Sequence, residues 1–505
     1  MESLKHERVA LGGSHAFFRP LLLILICILL VKTTILYVDP SPRLFLGDSR
    51  SYLYTALTGW IPPDRSFVYG FFVKLAAVWP HSLQALVFAQ VALSVTSAWL
   101  VAVCLIRYLQ TSVSVAAVCS LLCAIEPLQL LAERYVLTES VVTLMFAVFM
   151  LLCFVYLGTA RLLPLALIQV CGVLLISLRI SFLPMVIVCS FALPLFTAPA
   201  SVELPDDLRG LLRVQFSSVW RLLRQVAVPL ILGLLLSQTL LFGYRHLYGK
   251  LIEPPMRGHP AYFYRDGLFL ISDFAPLIQP VDYPIANERA ELFRPSPVPL
   301  PDPKARDAQR WYPEGICDRI IRACRGDEQC ADDLARKTAI HALRRNPLAA
   351  VQLGLQTAAL YFDGPYFLST LITDEGYDID LSQSQAAIYR QSLDVDFTSS
   401  VARFRKSPPL TERWHRALYL WYCFLLVLPL LFPAYLILQR RRALPVHWLC
   451  ALFLLLFLEG AVLTVTRPTA RFLTTMSWLS FIVLGSCVSP QLSDWRAAPK
   501  IEHVA

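Results

Sequence analysis

Acidic and basic side chains stand at the ends of apolar stretches in this chain, and these are the residues with chemistry to offer. Asp48 lies in Leu46-Gly47-Asp48-Ser49-Arg50-Ser51-Tyr52, just past the first apolar run. A second acidic cluster, Glu133-Arg134-Tyr135-Val136-Leu137-Thr138-Glu139, precedes the fourth run. Carboxylates at the rim of an apolar span are costly unless a wet cavity receives them. Arg179 sits between two runs in Leu178-Arg179-Ile180 with no loop to solvate it, and Arg467 and Arg471 mark the turn before Phe472. A guanidinium forks onto two phosphate oxygens and never deprotonates, so an anionic lipid headgroup suits it. Proton acceptors and phosphate holders are the parts of a reaction chamber at a membrane surface.

Each residue also has a plainer reading. Asp48 would cap a short helix over 49–58, accepting from the backbone N–H of Arg50 or Ser51. Glu139 would favour the dipole at a helix start. On a continuous helix Glu133 and Glu139 would lie roughly 120° apart, so they do not act as a pair and one of them is structural. Glu126, before Pro127, either joins them or ends its span. Arg467 would snorkel to the interface. Glu459, inside the ninth span, would pair with an arginine or bind substrate. Asp64 and Arg65 would be turn residues, or Arg65 and Tyr69 would face a ligand beside Tyr52. Tyr244, Arg245 and His246 are minor candidates.

The elements that must position these groups follow from composition. Of 505 residues, 56% are hydrophobic and only 16% charged, and the mean hydropathy is +0.56, far from a soluble average. Ten runs read as membrane spans, at about 20–38, 83–105, 112–126, 139–158, 163–178, 180–197, 226–244, 417–437, 446–466 and 472–488. The third, fifth and sixth are short. No small-residue cleavage site follows the first run, which is therefore expected to stay as a permanent span. With the amino end inside, every inner segment carries Lys or Arg, including Arg440, Arg441 and Arg442. An eleventh span at 348–362 would turn that triplet outside, so this stretch reads as an interfacial helix opened by Asn346-Pro347. The net charge of +9 thus reports orientation and lipid headgroups, and no nucleic-acid partner is needed to explain it.

Ten of the thirteen cysteines lie in or at apolar runs, where a thiol behaves as a small hydrophobe. Cys317, Cys324 and Cys330 fall in the long outer segment, where two can pair if that face is oxidising. A zinc site is disfavoured by their spacing. The chain divides into a transmembrane module over 1–247, an outer segment over 248–413 with charged helices across 311–345, and a closing transmembrane module over 414–505. The expected class is an all-α polytopic membrane protein with about ten transmembrane helices and a mixed outer lobe.

The motifs Gly47-Asp48-Ser49-x-x-Tyr52, Pro127 through Thr138-Glu139, Leu178-Arg179, Asn346-Pro347 and Arg467-x-x-x-Arg471-Phe472 resemble those of GT-C-fold glycosyltransferases. The relatives meant are those using polyprenyl-phosphate sugars, such as protein mannosyltransferases and lipid A aminoarabinose transferases. The resemblance covers most of the chain by layout, through short motifs. It implies a sugar donor on a polyprenyl phosphate, an acceptor protein, lipid or glycan, and Asp48 as catalytic base with Glu139 as the second acid. It also implies inversion at the anomeric carbon, with Arg471, Arg179 and Arg467 around the donor phosphate. One acid stands in the first motif where some relatives have two, which speaks for a metal-independent, cofactor-free reaction. The outer segment, with Tyr262, Phe263, Tyr264, Trp311 and Tyr312, would shape the acceptor site, and Asp266 and Asp273 would accept sugar hydroxyls. Such an enzyme would sit in a bacterial inner membrane, facing the periplasm. The rival class is a polytopic lipid or solute transporter or flippase, for which inverted halves and broken helices are expected and not seen.

Overall fold

The computed structural model describes residues 3–197, 216–253, 260–282, 303–374, 381–397, 419–439, 443–463 and 468–488, with single positions 399, 406 and 413. Helices dominate, and no strand occurs among the described residues. The amino-terminal part runs α1 (Ser3–Val38), α2 (Leu46–Thr58), α3 (Phe67–Val73), α4 (Leu83–Arg107), α5 (Val113–Ile125), α6 (Pro127–Ala132), α7 (Glu139–Thr159), α8 (Leu162–Leu178), α9 (Leu183–Phe196) and α10 (Phe216–Leu251). A π-helical turn, Lys74–Val78, continues α3. The central segment holds α11 (Asp266–Asp273), α12 (Pro303–Trp311), α13 (Ile316–Ala323), α14 (Glu328–Arg345), α15 (Pro347–Ala359), α16 (Gly364–Asp374) and α17 (Gln383–Leu393). The chain closes with α18 (Tyr419–Leu438), α19 (Pro445–Leu463) and α20 (Thr474–Val488).

A helix stands at each of the ten apolar runs. Among the described residues, six stretches are long and apolar enough to cross a membrane: Phe18–Val38, Leu83–Arg107, Glu139–Thr159, Val226–Leu251, Tyr419–Leu438 and Arg471–Val488. The helices at the third, fifth, sixth and ninth runs are shorter, and Phe67–Val78 is a further short apolar helix between the first and second runs. α4 and α20 are mostly buried, whereas α1 and α10 leave apolar faces such as Leu23, Leu30, Leu235 and Phe242 exposed. In the centre Trp478 is fully buried and donates from Nε1 to the Ser97 carbonyl at 2.8 Å. Gly485 lets Leu105 come close enough that a Cβ would sit 2.7 Å from its Cδ2.

Local signals explain the helix ends that matter for the site. Glu126 ends α5 and caps α6, accepting from Gln129 N at 2.9 Å, with Pro127 at the first helical position. Glu126 is therefore a structural residue, held also by Trp421 Nε1 at 3.2 Å. Asn346 caps α15 by accepting from Ala349 N at 3.2 Å, again with proline next, so a helix forms at 347–359 as expected. Leu348, Val351 and Leu355 lie exposed along one face of it, and that face suits a lipid interface. Gly59 ends α2 in the left-handed conformation at φ +79°, which glycine adopts without a Cβ clash.

The described part of the central segment is helical, so the mixed lobe expected from sequence is corrected. Leu268, Ile271, Ile320 and Leu334 form a small core of their own. Cys324 and Cys330 form a disulfide, and Cys317 stays a buried free thiol.

Candidate functional site

Two connections, 39–45 and 133–138, meet edge to edge and so bring α2 beside the start of α7. Arg43 N donates to the Arg134 carbonyl at 2.8 Å and Val136 N to the Arg43 carbonyl at 3.0 Å. Together they make an isolated parallel bridge of Arg43 with Tyr135. Ser49 Oγ accepts from Phe45 N at 2.7 Å and donates to the Val136 carbonyl at 3.0 Å. From below, the Gln90 amide donates to the Glu133 and Tyr135 carbonyls, both at 2.9 Å. An amide inside an apolar helix must find partners, and Gln90 spends its own on aligning this loop.

Asp48 sits in the first turn of α2 between two guanidiniums. Arg65 donates to Asp48 Oδ1 from Nε at 2.9 Å and from Nη2 at 2.7 Å. Arg471 donates from Nη1 to Oδ2 at 2.6 Å. Beside this pair, Arg179 Nη1 lies 3.6 Å from Glu139 Oε1, while Glu139 Oε2 is buried without a hydrogen-bond partner. The Phe472 ring lies against both remaining arginines, 4.6 Å from the Arg179 guanidinium carbon and 5.2 Å from that of Arg471. Phe45 supports Arg471 at 4.5 Å. Such ring faces attract a guanidinium through their quadrupole.

Burial by itself would raise the Asp48 carboxyl, but Arg471 and Arg65 outweigh it and hold the group at about 2. Burial, reinforced by Asp48 and Glu139, pushes the neighbouring Tyr52 phenol up. Three guanidiniums against two carboxylates leave one positive charge, which Asp64 offsets where it meets Arg65 Nη1 at 3.2 Å. Asp48, Arg65, Arg179 and Arg471 keep 15–23% of their side chains exposed.

The elements fix this geometry in three ways. α2 and α3 approach so closely at Gly70 that a Cβ there would lie 2.6 Å from Thr55 Cβ, and this contact sets Arg65 against Asp48. Tyr361, in a short 3-10 turn after α15, accepts from Thr469 N at 3.3 Å through its hydroxyl and so anchors the turn carrying Arg471. Gln129 Nε2 then donates to the Thr474 carbonyl at 2.8 Å, tying α6 to the same turn. Tyr361, Gln90 and Gln129 escaped the sequence reading; the polar amides in apolar surroundings were the available signal.

Several expectations change. Asp48 is not a helix cap: α2 begins earlier, at Leu46, and the carboxylate turns to its arginines instead. Glu133 does not join the Asp48 cluster, because it is fully buried between Lys32 and Arg134, the latter at 2.7 Å. Tyr69 is buried, donates to Gln90 Oε1 at 2.8 Å and packs against Tyr52, at 4.8 Å between ring centroids. Arg245 bonds the Pro260 carbonyl at 3.2 Å and stacks on Tyr262 at 5.1 Å, away from the carboxylates. Tyr244 stacks with Phe67 and Tyr248, and His246 accompanies Phe242 on the surface of α10. Glu459 is exposed on α19, while Arg179 and Arg471 pair elsewhere. Asp266 and Asp273 are engaged by Arg336 and Arg310. Arg467 lies outside the described residues. Among the expected acceptor-side aromatics, Trp311 reaches the cluster, its ring 5.8 Å from the Arg65 guanidinium.

Comparison with protein-family models, with curated proteins and with solved structures finds no match to this chain. Function is therefore argued from the site.

Proposed function

We propose that the chain is an integral-membrane glycosyltransferase that moves a sugar from a polyprenyl-phosphate donor to an acceptor on the outer face, inverting the anomeric centre. The observation that carries the reading is the meeting of Asp48, Glu139, Arg179 and Arg471, drawn from four separate stretches of sequence, beside the ends of apolar helices. Arg179 and Arg471 present their edges beside Phe472, where a lipid monophosphate can be gripped by charge-assisted hydrogen bonds. Charge that develops on the departing phosphate is then stabilised by fixed guanidiniums. An acceptor hydroxyl attacks the anomeric carbon from the far face, and Asp48 takes its proton. The unpartnered Oε2 of Glu139 offers an acceptor for a ligand hydroxyl. All ten apolar helices would then traverse or enter a bacterial inner membrane with the amino end inside, and the site would open to the periplasm. The exposed apolar face of α15 would rest on the lipid surface.

The test is a transfer assay with the full chain in lipid nanodiscs, a panel of prenyl-phosphate pentoses, hexoses and aminosugars, and a mixed acceptor extract. Sugar transfer with release of prenyl phosphate, unchanged by EDTA, is the expected result. Movement of donor across the bilayer without bond cleavage would favour the transporter class instead, and transfer that needs an added divalent ion would overturn the metal-free scheme.

A further inference from the structure

Asp48 presents a chemical contradiction within the proposed reaction. In the resting site both of its oxygens are taken, Oδ1 by two N–H groups of Arg65 and Oδ2 by Arg471. So clamped, it stays a carboxylate through the whole neutral range and is a weak base, far from the balance that makes proton transfer efficient. Arg471 meanwhile is the residue best placed to hold the donor phosphate, together with Arg179 across the Phe472 ring. One guanidinium is wanted by two anions.

We infer that Arg471 is exchanged between them: it holds Asp48 while the site is empty and passes to the donor phosphate when the substrate enters, which frees Asp48 to act as base. This rests on the donor reading above and adds the coupling of donor binding to base activation. The bonds balance. The acceptor oxygen forms its bond to the anomeric carbon as its proton goes to Asp48, and the carbon–oxygen bond to phosphate breaks with the electron pair leaving on the phosphate. One negative charge thus moves from Asp48 to the phosphate, and Arg471 moves the same way. A neutral Asp48 no longer competes for the guanidinium just when the dianionic phosphate needs it. Arg65, pinned by Asp64 and Ser51 as well, stays behind to orient the carboxyl. Phe45 and Phe472, stacked against Arg471, form a track that lets the side chain swing without losing its ring contacts.

The exchange makes an unusual demand: removing the charge of the base must tighten the grip on the phosphate. Binding of sugar-free polyprenyl monophosphate is measured on the full chain in nanodiscs. D48N is expected to bind on the order of tenfold tighter than wild type while losing transfer. Equal or weaker binding by D48N would overturn the exchange and leave the donor reading standing. No binding by the wild-type chain would overturn both. A second measurement needs no variant: the infrared carboxylate bands of the wild-type chain carrying isotope-labelled aspartate. Addition of prenyl monophosphate is expected to shift one such band as a guanidinium leaves, and unchanged bands would count against the exchange.

Discussion

Arg471 and Asp48 bond directly, Nη1 to Oδ2 at 2.6 Å, across 423 positions of sequence. The contact joins the first short helix of the chain to the turn before its last described one. It decides that these two regions share a site, and it gives the arginine a role in both structure and proposed chemistry.

Loss of that arginine should therefore be severe. R471A is expected to lower kcat/KM for sugar transfer by on the order of 10²–10³-fold, the usual effect of removing one donor from a charge-stabilising site. R471K keeps a charge but not the planar fork and should fall between. Steady-state transfer kinetics with the prenyl-phosphate donor check both.

Lys32 and Glu133 are buried together, and neither has water to fall back on. K32M takes away one of the two cations that hold the carboxylate and leaves Arg134 at 2.7 Å, so its expected cost stays below the roughly 3–5 kcal/mol of breaking a buried pair outright. K32M/E133Q should recover only part of that loss, because Arg134 then keeps Asp39, at 3.6 Å, as its carboxylate partner. Thermal or denaturant unfolding in detergent reads both, and activity per folded molecule should be unchanged because Glu133 lies apart from the arginine cluster.

Gly70 offers a test of how the site is held. An added Cβ would collide with Thr55, pushing α3 off α2 and Arg65 off Asp48. G70A should destabilise by about 1–3 kcal/mol through overpacking, and it should reduce transfer more than G158A, whose site has open space around it. Melting temperature and kcat measured on the same preparations distinguish the two positions.

In the central segment the Cys324–Cys330 bridge closes a short loop. C324S/C330S should cost about 2 kcal/mol, from the loop-entropy relation for so few residues, and should lower the threshold for proteolysis of α13 and α14. Cys317 is the control. Burial pushes its thiol up to about 12, so maleimide should label it only after unfolding. A bridge that fails to form in the native membrane would argue against the outer placement of this segment.

The sequence made the helices legible, since each apolar run of useful length became one and the proline-led starts of α6 and α15 fell where Pro127 and Pro347 require. It also marked Asp48, Glu139, Arg179 and Arg471, because charged groups at the ends of apolar runs need a reason to be there. It left open which of Glu133 and Glu139 stands with the arginines, since six residues of spacing do not tell which way an irregular loop turns. Tyr361 was invisible for a related cause: one tyrosine in a segment rich in aromatics carries no sign of the backbone it will meet.

Apolar periodicity and helix-end chemistry are local, so residue order alone determined that this chain is helical and largely built of apolar spans. Ion-pair partnership is not local. Which carboxylate faced Lys32, which faced Arg179 and which took two arginines depended on the Arg43–Tyr135 bridge, the Gly70 contact and the Tyr361 anchor. A charge moved by a few ångströms in an apolar interior gains or loses its partner outright, and only the packed fold has that resolution.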